Sequence, residues 1–285
     1  MRDFYTTPPV TDEAQRGLPP SRSRHSKGWL WGLLGLLALL FVKLKGLFFF
    51  LLFKLKSIIV LLKLGKFLTT GFTMLATIWV YALFFGWLFA VGFVLLIFLH
   101  EMGHAYVIKQ KGLRAGAPVF IPFVGAMIAL REQPRDAKTE AEIAYGGPLA
   151  GALASLGCYY LGEQWGSPLL LGLAYTGFLM NLFNLIPVSP LDGGRIVTAI
   201  STKLWIVGLL LLLFLFLYSL NPLLLIVLVM GGFQLWRVYR QADQTTAYYE
   251  VPPSYRIAMA VAYFGLAGFL GAMIVKVLPM LPALR

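Results

Sequence analysis

A chain of 285 residues that is 59% hydrophobic and only 13% charged carries more apolar surface than a soluble fold of that length can bury. Several of its apolar runs approach the ~20 residues that cross a bilayer, which points to a multi-pass membrane protein and away from a soluble enzyme. The formal net charge of +12 sits at the ends of apolar runs, as membrane topology demands, so nucleic acid is not an expected partner.

Residues 1–28 are polar, with Pro8, Pro9, Pro19 and Pro20 and a basic group at Arg22, Arg24, His25 and Lys27, and are predicted to be a disordered cytoplasmic tail. No cleavable signal peptide is evident in them. Segment 29–66 is apolar but cut by Lys43, Lys45, Lys54, Lys56, Lys63 and Lys66. Its longest unbroken run, Trp29 to Val42, is short for a span, and its lysines can snorkel, so it is expected to lie along the membrane surface. A pair of short spans is the alternative.

From Phe67 the chain is almost continuously apolar as far as Val107, enough for two spans at about 67–84 and 87–108 that turn near Gly86. A basic loop follows at 109–116. Residues 117–130 are apolar but hold Pro118, Pro122 and Gly125, which favour an extended or re-entrant segment over a helix. A charged connection spans 131–142. Further spans are predicted at about 143–162, 168–186, 204–219, 221–238 and 256–278. These group into a membrane core over 67–201 and C-terminal transmembrane helices over 202–285. The lone Cys158 has no partner for an internal disulfide and reads as a packing residue.

Loop 163–167 and turn 219–222 have no Lys or Arg, whereas the connections on the other side carry Lys109, Lys111, Arg114, Arg131, Arg135, Arg195, Lys203 and Arg237. The positive-inside rule places that basic side in the cytoplasm. A bacterial cell membrane is the expected location.

The run His100-Glu101-Met102-Gly103-His104 concentrates chemistry in an apolar span. On a helix, His100 and His104 share one face and can hold one metal ion, while Glu101 beside them can take a proton from water. Ionisable groups in lipid cost ~2–3 kcal/mol or more each, so they need a purpose there. A catalytic zinc takes three protein ligands and leaves one position open. The only other histidine is His25, in the tail, so a carboxylate is needed. Of Asp3, Asp12, Asp136, Asp192 and Asp243, only Asp192 follows a span inside a motif rich in helix breakers, from Asn184 through Pro187, Pro190, Gly193 and Gly194. The expected centre is therefore one Zn2+ on His100, His104 and Asp192, close to the basic, cytoplasmic end of its span. A plain helix N-cap is the alternative role for Asp192.

These residues resemble the site-2 protease family of intramembrane zinc metalloproteases. The pentad at 100–104, the element Gly146-Gly147-Pro148-Leu149-Ala150-Gly151 and the later motif Asn184 through Gly194 stand in that family's order. The resemblance covers about 87–200, and no PDZ-like insertion or CBS-type domain is evident. It implies an all-α polytopic membrane protein with a three-span metalloprotease core, a short re-entrant or β segment at 117–130 near which substrate lies, and flanking transmembrane helices. It also implies a transmembrane protein as substrate and a role for Asn184 in binding substrate or the developing oxyanion. Rival expectations are a non-catalytic membrane scaffold and a metal-ion transporter. Glu101 argues against the first, and the lack of charge in the other spans against the second. Oligomeric state is left open.

Overall fold

Gly86 breaks an otherwise continuous apolar stretch. Its φ of 80° suits a residue without a Cβ and lets the chain turn between α1 (Leu68–Phe85) and α2 (Trp87–Gln110). The computed structural model describes residues 68–240 and 246–281, with Gly32, Gly35, Lys43, Lys45 and Gly65 as single positions before them. The expected tail over 1–28 and nearly all of the lysine-cut segment 29–66 lie outside the described residues.

The proline-bearing segment after α2 is extended, as its composition predicts. Strand β1 (Ala115–Ile121) pairs antiparallel with β2 (Gly125–Leu130), and Ile121 opposite Gly125 closes the hairpin. Helix α1 covers the outer edge of β1. Thr70 Oγ1 donates to the Pro118 carbonyl at 2.7 Å, and the Phe120 N–H donates to Thr73 Oγ1 at 3.3 Å. The turn holds Phe123 at φ 64°, where its N–H donates to Tyr81 Oη at 3.0 Å and its ring meets Tyr81 edge-on at 5.4 Å.

Helix α3 (Ala137–Trp165) starts earlier than the span expected at 143–162. Asp136 caps it, accepting the Thr139 N–H at 2.7 Å, and this bond holds the Asp136 carboxyl below the usual carboxylate range. Lys138, Glu140 and Glu142 therefore ride on the first turns of a helix and not in a loop. Gly166, at φ 58°, ends it. Then come α4 (Pro168–Asn184), α5 (Asp192–Ile200), α6 (Leu204–Ser219), α7 (Pro222–Arg240), a 3-10 turn at Thr246–Tyr249 and α8 (Pro253–Val277).

The described chain is thus mostly helical with one small sheet. By length and composition, three described helices can cross a membrane: α1, α2 and the stretch Pro253–Met280. This is fewer than the seven spans expected. Helix α4 has 17 residues, which rise about 25 Å against an apolar thickness of about 30 Å. Helix α6 and Pro222–Val238 are likewise apolar but short. Helix α3 buries glycines and alanines against its neighbours and exposes Leu149, Leu153 and Trp165.

The main core lies among α3, α4, α5 and α8. Ala137, Ala141, Ala144, Ala152 and Ala174 let helices approach closely around Tyr159, Phe178, Ile196 and Leu270. Outward faces are apolar too: Phe72, Leu88, Val261 and Val275 are all at least 70% exposed. A soluble protein does not display such side chains on one long helix after another.

Side chains donate to backbone carbonyls of the loop 185–191, of α5 and of the approach to α8. Tyr263 Oη donates to the Leu185 carbonyl at 2.5 Å. Thr198 Oγ1 and Trp205 Nε1 both donate to the Gly194 carbonyl at 2.8 Å. Arg256 spreads its guanidinium over the carbonyls of Ile200, Tyr249 and Val251 at 2.9, 2.9 and 3.0 Å. Each bond satisfies a carbonyl that would be costly to leave bare away from water.

Candidate metal centre

His100 and His104 stand one turn apart on α2, with ring centroids 4.8 Å apart and planes nearly perpendicular. Their Nε2 atoms converge at 3.1 Å. Asp192, the first residue of α5, closes the triangle: its Oδ2 lies 3.1 Å from His100 Nε2 and 3.2 Å from His104 Nε2. All three side chains are buried. The carboxylate makes no cap bond to its own helix, so the N-cap alternative is not what this residue does.

The donor set fits a metal ion. Two imidazoles and one carboxylate form the largest such group among the described residues, with ligand atoms within 4.8 Å of one another. The three separations of 3.1–3.2 Å approach the ~3.3 Å edge of a tetrahedron whose vertices lie ~2.0 Å from its centre, the usual zinc–ligand distance. Three protein donors leave one vertex open.

The surrounding groups orient these ligands. His104 Nδ1 lies 2.7 Å from the Ile143 carbonyl. A carbonyl only accepts, so Nδ1 carries the proton and Nε2 keeps its lone pair for the centre. His100 Nδ1 lies 2.8 Å from Asn181 Oδ1. Arg195 places Nη1 3.9 Å from Asp192 Oδ1 and donates from Nε to Glu140 Oε1 at 3.3 Å. Tyr248 Oη donates to the other Glu140 oxygen at 2.5 Å. Burial, then that carboxylate, push the Tyr248 phenol up.

Space for the centre comes from missing side chains. A Cβ at Gly147 would collide with Nε2 of both His104 and His100. At Gly103 it would strike the Gly146 carbonyl, where α2 and α3 touch backbone to backbone, and at Gly151 it would strike the Asn181 amide. The glycine element at 146–151 is therefore a contact surface that also leaves room for the ligands.

Glu101 is buried at 5% exposure and interacts electrostatically with His104, His100, Asp192 and Arg195. Asn184 ends α4, half-buried, three residues after Asn181. Thus the sequence-predicted His100, Glu101, His104 and Asp192 come together, while Asn184 stands at the mouth of the loop leading to Asp192. Sequence reasoning missed Asn181, Arg195, Glu140 and Tyr248. A signal for Asn181 existed: it is a lone amide in an apolar helix, one turn before Asn184.

Residues 88–167 match the model of Peptidase family M50. That match contains the His100–His104 pentad and the glycine element, and it supports the site-2 protease resemblance over this segment; it stops short of Asp192, whose place rests on the geometry above. The chain is also similar to the zinc metalloprotease MJ0392 of Methanocaldococcus jannaschii, 34% identical over 122 residues, or 40% of this chain. The chain spans about a third of that relative's length, 35%. Among solved structures, a site-2 protease from Methanocaldococcus jannaschii aligns with 64% of this chain and 89% of its own, at 25% identity and a TM-score of 0.40.

Proposed function

We propose that this chain is a zinc-dependent endopeptidase that hydrolyses peptide bonds of membrane-embedded protein substrates near the cytoplasmic side of a cell membrane. One observation carries the reading: a buried glutamate sits beside a His–His–Asp triangle on a helix apolar enough to cross a bilayer. A structural metal site needs no such carboxylate. An ion path through the bilayer would call for further buried charges. Among the described residues, the buried histidine and carboxylate side chains are His100, Glu101, His104 and Asp192, all at this one site, and no Lys or Arg is buried.

Bound zinc supplies an acidified water and a Lewis acid for the scissile carbonyl. The remaining work belongs to the chain. Glu101 accepts the proton of the attacking water and returns it to the leaving amine. Asn184 offers an amide donor to the developing oxyanion, an effect worth about 3 kcal/mol for one well-placed donor. His104, held by the Ile143 carbonyl, cannot swing away from the centre. Arg195 and Glu140 make the surroundings of Asp192 polar, which gives water a route that the lipid does not.

Purified protein in liposomes should cleave a transmembrane model substrate, lose that activity to a chelator and regain it with added zinc. Cleavage that persists unchanged after the metal has been stripped would sink the proposal. Orientation is tested separately in a Cys158→Ser background. Lys109→Cys should be labelled from the cytoplasm and Gln164→Cys from the opposite side; the reverse pattern overturns the cytoplasmic placement.

A further inference from the structure

We infer that Asn181 is a positioning residue that fixes the tautomer of His100, so that Nε2 and not Nδ1 is presented to the metal. The inference rests on the metal-centre reading above. Asn181 is fully buried in α4, on a different helix from the histidine it touches. Its amide is held at both ends. Nδ2 donates to the Gly177 carbonyl at 2.8 Å, and Oδ1 lies 2.8 Å from His100 Nδ1.

The Gly177 bond decides the orientation. A carbonyl can only accept, so the amide must turn its NH2 group toward Gly177 and its oxygen toward His100. An amide oxygen can only accept as well, so His100 Nδ1 must carry the proton. Nε2 is then left with its lone pair, facing Asp192 Oδ2 and His104 Nε2. Were the amide reversed, two carbonyl oxygens would face each other at hydrogen-bond distance in a buried site, and the wrong nitrogen of His100 would be protonated. His104 reaches the same state through a backbone carbonyl that no substitution of Ile143 can remove. Of the two imidazole ligands, His100 alone depends on a side chain.

The neighbours are shaped around this amide. Gly151 on α3 lies against it, since a Cβ there would overlap Asn181 Oδ1 and Nδ2. Gly177, one turn earlier on α4, has Ser155 Oγ where its own Cβ would be. The amide thus has no free rotation in which to lose its oxygen from His100.

The test is zinc affinity, measured by competition with a chromophoric chelator on purified full-length protein in detergent, with no substrate present. Asn181→Leu keeps the volume and removes the acceptor, and should weaken zinc binding about 10–100-fold, the usual cost of losing such a partner. Asn181→Asp, protonated on the oxygen that replaces Nδ2 so that it still donates to the Gly177 carbonyl, keeps an acceptor facing Nδ1 and should bind at least about tenfold more tightly than the leucine variant. Equal affinities for the two variants, or a leucine variant that binds like wild type, overturn the assignment. A second measurement needs no variant. The chain has three histidines, so 15N-histidine labelling of the zinc-loaded protein gives a readable spectrum. Nε2 of His100 should carry the metal shift and Nδ1 should be protonated; coordination through Nδ1 overturns the inference. Wild-type protein that takes up no zinc overturns the metal centre itself and this assignment with it, whereas tight binding that is indifferent to Asn181 overturns only the latter.

Discussion

Glu101→Gln is expected to slow peptide-bond hydrolysis by about 10²–10⁴-fold while zinc content stays at the wild-type level. The amide is isosteric with the carboxylate, so the packing around a side chain with 5% exposure is kept. What is lost is the ability to accept a proton from water and hand it on. Glu101 is no member of the three-atom donor group, so the metal should not leave with the charge. The measurement is a paired one, turnover of a transmembrane substrate beside metal analysis of the same preparation. Turnover within threefold of wild type would remove Glu101 from the proton-transfer role. Loss of metal together with activity would make it a ligand instead.

Asp192→Ala should empty the centre. The carboxylate, carried on α5, faces both histidines at 3.1 and 3.2 Å, and alanine leaves that corner of the triangle without a donor. The loss of affinity should exceed the about 10–100-fold that follows loss of a supporting hydrogen bond. Activity should fall with it. Asp136→Ala is the control for removing an acidic residue. It deletes the cap of α3, costing about 1 kcal/mol of helix stability, and should leave zinc binding unaltered. Equal zinc affinity of Asp192→Ala and wild type would take Asp192 out of the ligand set.

How much of this was legible beforehand follows from the range of each interaction. The histidine pair is local: four residues on one helix give one face, and no tertiary knowledge is needed. Asp192 was reachable by elimination, since so few carboxylates lie in apolar surroundings. The hairpin could be read because Pro118 and Pro122 exclude a helix, yet the hydroxyls of Thr70 and Thr73 that cover its outer edge are ordinary threonines in an apolar run. Asn181 stood out as an amide in an apolar helix, but what it does was hidden for a similar reason. Its role exists only because α4 crosses α2 at that height, and helix crossing leaves no periodic trace in a sequence. The start of α3 was misplaced because a charged stretch reads as a loop unless the cap at Asp136 is weighed against it. Of the spans read from composition, three are matched among the described residues by helices long and apolar enough to cross a bilayer, and three others by shorter apolar helices, because loops and caps that trim a helix leave no trace in its apolar composition.

The carbonyls at the two ends of the segment 185–200 have a consequence for the order of assembly. Leu185 and Ile200 flank the segment that positions Asp192, and their donors, Tyr263 and Arg256, follow 78 and 56 residues later in the chain. Synthesis runs from the N-terminus, so both histidines and the aspartate leave the ribosome while those two carbonyls still lack their partners. Until α8 has joined the fold, the two ends of that segment lack these bonds, and the aspartate is placed by the loop's own backbone bonds and by Arg195 on Glu140. The ligand triangle is in this sense a late product of biogenesis, closed by a helix that contributes no atom to it.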